Sequence, residues 1–180
     1  MNLENLFKNF CKKNNLEINV YQLAIIDQLK SFYKLNFNQS IFNKLFSKID
    51  LKPAFYLYGG VGVGKTMILN FFFNLVEDKK LRQHFNEFML SFHDFAHERK
   101  EKNEENVINQ FVKDLKSKTK LIYFDEFQVT NIVDAMILGK LFEQIFKENI
   151  KIILTSNTKI SELYKDCLLY TSDAADDSYR

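Results

Sequence analysis

Glycine and proline are scarce in this chain of 180 residues, with five of the first and one of the second. The first 50 residues hold neither, and four of the five glycines stand close together at Gly59, Gly60, Gly62 and Gly64, shortly after Pro53. Tryptophan is absent while phenylalanine reaches 19; with the load of Lys, Asn and Ile, this reads as codon bias of an AT-rich genome and says nothing of mechanism. Two cysteines, Cys11 and Cys167, give neither a disulfide framework nor a metal-binding spacing, so a reducing, cytoplasmic setting is expected. No apolar run approaches the length of a membrane span. Leu3, Leu6, Phe7 and Phe10 lie at helical spacing among Glu4, Lys8, Lys12 and Lys13, which describes an amphipathic helix rather than a signal peptide. The net charge is only +2 and the lysines are dispersed over Lys12–Lys13, Lys79–Lys80 and Lys113 to Lys120. Without a basic stripe, no nucleic-acid partner is expected.

What is present suits one globular domain, with 46% hydrophobic and 27% charged residues. Residues 1–50 read as a helical extension with a turn near Leu35–Gln39. Phe55–Tyr58 is a short apolar run suited to a buried parallel strand, and Met67–Val76 is apolar nearly all round, as a helix buried on several sides would be. His84–Met89 is expected to form a second strand, and Asp94–Leu115 a helix broken at Lys100–Asn106. Leu121–Phe124 and Ile150–Thr155 complete four strands. Between these two lies the helix Asn131–Lys147, with Asn131 as its cap, Asp134 in its first turn, and Ile132, Ala135, Met136, Leu141, Phe142, Ile145 and Phe146 on its inner face. Alternating strands and helices imply an α/β fold of three layers, with a parallel sheet covered on both faces.

The run Gly59-Gly60-Val61-Gly62-Val63-Gly64-Lys65-Thr66 matches G-x-x-x-x-G-K-[ST] and lies between an apolar strand and a buried helix, where a phosphate-binding loop belongs. Its glycines let the backbone curl around an anion with N–H groups facing inward. Lys65 offers a charge to the β- and γ-phosphates of ATP, and Thr66 a hydroxyl to Mg2+. The helix that starts there adds its positive end. Leu121–Phe124 ends in Asp125-Glu126, at the ligand-binding edge of a parallel sheet. Asp125 is expected to hold the metal, and Glu126 to polarise the attacking water. Thr155-Ser156-Asn157 places a polar group at the end of the fourth strand, either to reach the γ-phosphate or simply to start a loop. Two weaker features remain. His93 and His97 share a helical face without enough partners for a metal site, and Tyr21 and Gln22 stand where they approach an adenine or merely pack.

Taken together, Tyr56 to Met67, His84–Met89 with His93, Phe124 to Thr130, Asp134 to Leu138, Thr155–Asn157 and Leu163-Tyr164 resemble the ZapE cell-division ATPases and their mitochondrial relatives, an AFG-like branch of the AAA+ ATPases. The motifs run in the right order over about residues 20 to 166. The resemblance implies an AAA+ core over 51–166 that hydrolyses ATP with Mg2+, and Asn157 as the sensor placing water beside Glu126. It also implies homo-oligomeric assembly and a remodelled protein partner, associated in bacteria with the division-ring polymer. Two positions depart from the family: Val63 stands where Arg is common, and Asn131 where Asp is usual. Neither change removes a phosphate or metal ligand, and the loop from Gly59 through Val61 and Val63 to Thr66 is still expected to bind the nucleotide.

A fifth strand, a helical lid and the arginines that AAA+ enzymes supply from beyond the fourth strand are expected to be lacking. Residues 167–180 resemble the translation of a sequencing adaptor and are read as a disordered tail outside the fold. The fragment is therefore expected to hydrolyse ATP poorly, and its first strand to be left as an apolar edge. Three rival readings stay open: a nucleic-acid-linked AAA+ initiator or loader, a P-loop kinase acting on a small molecule, and an inactive nucleotide-binding fragment.

Overall fold

A computed structural model of the chain describes residues 2–37, 52–99 and 104–163. The expected tail at 167–180, the far side of the turn after Phe37 and the first part of the break after Arg99 lie outside the described residues.

Four strands form the sheet: β1 (Ala54–Tyr58), β2 (Lys80–His84), β3 (Leu121–Asp125) and β4 (Lys151–Ser156). Their order is β1-β4-β3-β2 and every pairing is parallel. The two central strands, β3 and β4, are buried along their whole length, which is why they read as unbroken apolar runs. β1 and β2 are the edges and only partly buried. Edge position explains why β2 escaped the sequence reading: Lys80-Leu-Arg-Gln-His84 has no apolar run to betray it. The segment expected as a strand, His84–Met89, belongs instead almost wholly to a helix. Phe85, Phe88, Met89 and Phe92 are all buried, and their spacing of three, one and three residues is helical, not alternating.

The helices are α1 (Leu3–Lys13), α2 (Val20–Asn36), α3 (Lys65–Leu75), α4 (Phe85–Arg99), α5 (Glu104–Lys118) and α6 (Ile132–Lys147). A single 3-10 turn follows at Ile160–Glu162. Helix α5 begins inside the expected break, at Glu104. Asparagines start three of the helices: Asn2 accepts from the Asn5 N–H, and Asn131 from that of Val133. Asn19 and Gln22 form a reciprocal capping box, each side chain accepting from the other's backbone N–H. On α6 the buried side chains are Leu138, Leu141 and Ile145. Ile132 and Met136, expected on the inner face, are exposed, because at helical spacing they fall on the side of α6 opposite to Leu138, Leu141 and Ile145, while Ala135 of the same turn packs on the core.

Two cores sandwich the sheet. On one face Leu57, Leu121, Tyr123 and Ile153 meet α1, α2 and α3; on the other Ile122, Phe124, Ile152 and Leu154 meet α4, α5 and α6. The N-terminal helices share the core of the first face. Phe7 and Phe10 each set their rings 5.2 Å from that of Phe71. Phe32 and Tyr33 of α2 meet Phe72 edge-on at 6.1 and 6.3 Å. Offset and edge-to-face pairs of this kind add to simple area burial. At the far end of α3, Lys80 donates to the carbonyls of Phe73, Asn74 and Val76, so β2 supplies the positive charge that the C-terminus of a helix favours.

Phe72 is fully buried where α2, α3 and the sheet meet. Phe72→Ala is therefore expected to cost about 3–5 kcal/mol in urea unfolding. Val20→Ala, at an exposed position, should stay within about 0.5 kcal/mol of the parent.

Candidate nucleotide site

Three carboxyl-terminal strand ends and one helix start converge at one edge of the sheet. β1 runs into the glycine loop and α3, β3 ends at Asp125-Glu126, and β4 ends at Ser156-Asn157. The cleft between them has a volume of about 340 Å³ and is lined by Val61, Gly62, Gly64, Lys65, Thr66, Met67, Glu126, Thr155, Ser156 and Asn157. That size suits a triphosphate with part of its nucleoside. The loop turns back on itself at Gly62 and Gly64, whose φ angles of +82° and +88° belong to the left-handed region. At Gly64 the space is also taken, since a Cβ would sit 3.2 Å from the Gln22 amide nitrogen.

Lys65 spends its three N–H donors on this loop and its neighbour. It bonds the carbonyls of Gly59 and Gly60 at 2.8 and 2.7 Å and the Asn157 side-chain oxygen at 3.0 Å. The ammonium is thus held where loop, α3 and the end of β4 meet, with oxygens that an anion would replace.

Asp125 is almost completely buried. Its Oδ1 accepts from Thr155 at 2.8 Å and from Thr66 and Tyr123, each at 3.2 Å. Its Oδ2 accepts from Arg82 at 2.5 Å. Burial opposes ionisation of the carboxyl, but the Arg82 and Thr155 hydrogen bonds and the guanidinium charge outweigh it and hold the group below the usual carboxylate range. Tyr123 is shifted the other way: burial, and then the Asp125 charge, push its phenol up, so it stays a proton donor.

Oxygen donors of this kind suit Mg2+, which is held by one or two protein groups and otherwise by water and phosphate. The Thr66 hydroxyl gives its proton to Asp125 and so keeps a lone pair for a metal. Among the described residues no group of three or more His, Cys, Asp or Glu could hold a metal ion by itself.

Glu126 follows in a left-handed conformation, φ +54°, rare for a residue with a side chain. The backbone is pinned there by β4: the Glu126 N–H donates to the Thr155 hydroxyl and the Phe127 N–H to the Thr155 carbonyl. The turn lifts the Glu126 side chain out of the sheet toward the cleft. Strain of this kind gathers at functional positions.

Of the expected site residues, Val61, Gly62, Gly64, Lys65, Thr66, Glu126 and Asn157 line one cleft; Asp125 joins it through Thr66, and Gly59 and Gly60 through Lys65, while Val63 does not line it. Sequence reasoning missed Arg82, and it marked Thr155 only as part of Thr155-Ser156-Asn157, without the bonds it makes to both acids. Thr155 interrupts an apolar run one residue after Leu154, the register partner of Phe124, and that break was the available signal. Arg82 had none, because only the pairing of β2 with β3 brings it to Asp125. Gln22 lies buried against the loop through its capping box, whereas Tyr21 is exposed. His93 bonds Asp134 at 2.7 Å and ties α4 to α6; neither it nor His97 lines the cleft.

Comparison with known proteins bears on this arrangement. A sequence profile of AFG1-like ATPases matches residues 6–172. The chain is 42% identical over 132 residues to lactation elevated protein 1 homolog B of Danio rerio, a match over 68% of this chain and 26% of that protein. It is 37% identical over 116 residues to the cell division protein ZapE of Escherichia coli K12, over 63% of this chain and 30% of that protein. The chain therefore spans under a third of the length of either relative. Among solved structures, DnaI aligns with a TM-score of 0.53 at 18% identity, covering 89% of this chain and 81% of that one. AMPPCP-bound DnaA from Aquifex aeolicus aligns at 0.52 and 17%, covering 85% and 46%. At such identities the likeness establishes the fold alone. No described helix is long and apolar enough to cross a membrane.

Two measurements test the polar centre. Thr155→Val leaves the Glu126 N–H without its side-chain acceptor and Asp125 with one donor fewer, and should cost about 1–3 kcal/mol in urea unfolding, with Thr155→Ser restoring most of it. Because Asp125 titrates lower folded than unfolded, its contribution is complete above the unfolded carboxylate value of about 3.9 and is lost as pH falls through the folded one. Below about pH 4 the parent should accordingly lose stability more steeply than Asp125→Asn.

Proposed function

We propose a function that proceeds from one premise: the chain belongs to the AFG1-like ATPase family. In this reading the cleft binds ATP and hydrolyses it to ADP and phosphate. The observation that carries it is the meeting of Lys65, Thr66, Asp125, Glu126 and Asn157 around one cleft of triphosphate size.

The residues then divide the work. Backbone N–H groups of Gly59 to Gly64 and the start of α3 hold the phosphates, and Lys65 leaves the loop carbonyls to bond the β- and γ-phosphates. Mg2+ would be held by Thr66 and Asp125 and would supply positive charge to the phosphate oxygens. Glu126 takes a proton from the attacking water as its oxygen bonds to the γ-phosphorus, while the bond from that phosphorus to the β,γ-bridging oxygen breaks and ADP leaves. Asn157, once released by Lys65, orients that water. No arginine follows Asp125 among the described residues. An arginine from elsewhere is worth several powers of ten in related phosphoryl transfers, so hydrolysis by this chain alone is proposed to be slow.

The likeness to ZapE, named as a cell division protein, supports a cytoplasmic, oligomeric ATPase that remodels a protein partner, such as a division-ring polymer. ATP and Mg2+ are its proposed cofactors, and nucleic acid is not among its proposed partners.

Equilibrium binding of a fluorescent ATP analogue and single-turnover hydrolysis test this. Lys65→Ala should abolish measurable affinity. Glu126→Gln should bind nearly as the parent does and turn over about 100-fold to 10,000-fold more slowly. Full affinity in Lys65→Ala ends the reading.

A further inference from the structure

Arg82 makes an ion pair that the hydrolytic reading does not use. It stands on β2 directly opposite Tyr123 on β3, its guanidinium carbon 5.1 Å from the centre of that ring. Side chains two apart on a strand share a face, so Asp125 projects from the same side of the sheet as Tyr123. Arg82 reaches along that face to Asp125 Oδ2 at 2.5 Å.

The two carboxylate oxygens are unequally committed. Oδ1 takes three hydroxyl donors from Thr66, Thr155 and Tyr123, and Oδ2 takes Arg82 alone. A carboxylate has about four acceptor positions. Those on Oδ1 are taken by donors from β4, from α3 and from β3 itself. A metal, or water bound to it, must therefore use Oδ2, where a unit positive charge already sits. Of the two partners the arginine is the freer to move: its side chain is 43% exposed, against 8% for Asp125. It also already lies over the face of Tyr123, a contact that does not depend on Oδ2.

We propose that Arg82 is a resident counter-ion for Asp125, one that occupies the metal side of the carboxylate in the nucleotide-free protein and yields Oδ2 when Mg2+ enters with nucleotide. This rests on the reading of the cleft as a nucleotide site. Arg82 in this role sets a threshold. Free Mg2+ meets a neutralised carboxylate and gains little, whereas Mg2+ carried on a di- or triphosphate brings ligands of its own and displaces the arginine. Arg82 thus weights the site toward the metal–nucleotide complex over metal alone, without touching substrate.

The test is the Mg2+ dependence of binding a fluorescent ADP analogue to the full chain, read as the Mg2+ concentration giving half of the affinity gain. Arg82→Met removes the competing charge, and that concentration should fall by about tenfold. Arg82→Gln keeps an N–H for Oδ2 but no charge and should behave similarly, while Arg82→Lys should stay near the parent. An unchanged or higher Mg2+ requirement in Met and Gln overturns the proposal and makes Arg82 a support for Asp125 or a bystander. Loss of folding in both, judged by circular dichroism, also overturns it. If the parent binds no nucleotide at any Mg2+ concentration, the nucleotide site itself fails, an outcome distinct from an unaltered Mg2+ requirement.

Discussion

One buried carboxylate joins nearly every element that builds the cleft. Asp125 accepts hydrogen bonds from β2 through Arg82, from its own strand through Tyr123, from β4 through Thr155 and from α3 through Thr66. A charge so far removed from water is costly unless every lone pair is answered. Here each answering group comes from a different part of the chain. The sheet order β1-β4-β3-β2 places β3 between the strands that bear Thr155 and Arg82, so the topology is what allows the carboxylate to be buried at all. Thr155 extends the same control to Glu126, whose unusual backbone conformation depends on the hydroxyl that also serves Asp125.

Much of this was readable from the chain because the signals are local. The glycine loop, the apolar runs of β3 and β4 and the acids at the end of β3 are each contained within about eight residues of sequence, a length at which pattern and structure are tightly linked. The second strand was not readable. An edge strand has one half-solvated face and one unpaired side, so Lys80, Arg82 and Gln83 sit there without penalty, and the phenylalanines that follow drew the strand assignment one element too far. The exposed Ile132 and Met136 misled for a related reason. α6 is apolar on both sides of its first turns, and only the side bearing Ala135, Leu138, Leu141 and Ile145 meets the core. The Arg82–Asp125 and His93–Asp134 pairs join residues 43 and 41 positions apart, and no periodicity marks such partners in advance.

The N-terminal helices show composition being turned to use. A chain with 19 phenylalanines and no tryptophan must fill its interior with rings of one size. It does so by interlocking them at α1, α2 and α3 rather than by burying a few larger residues. The same helices bring Gln22 against Gly64, so packing far from the acids helps fix the curvature of the phosphate loop. Gly64 is then constrained twice, by its backbone angle and by its neighbour, and α2 contributes to the cleft without lining it.

The saturation of Lys65 has a kinetic meaning. Its three N–H donors are already taken by two backbone carbonyls and one side-chain amide oxygen, so an incoming anion meets the positive charge but no free donor on it. Admission proceeds by exchange, and the peptide groups that now turn their oxygens toward Lys65 must reorient as it leaves them. If the cleft takes an anion as proposed, that exchange adds a step to association beyond diffusional encounter. In the proposed reading the same exchange would free Asn157 at the tip of β4, so that occupancy of the cleft would be felt at the end of a central strand.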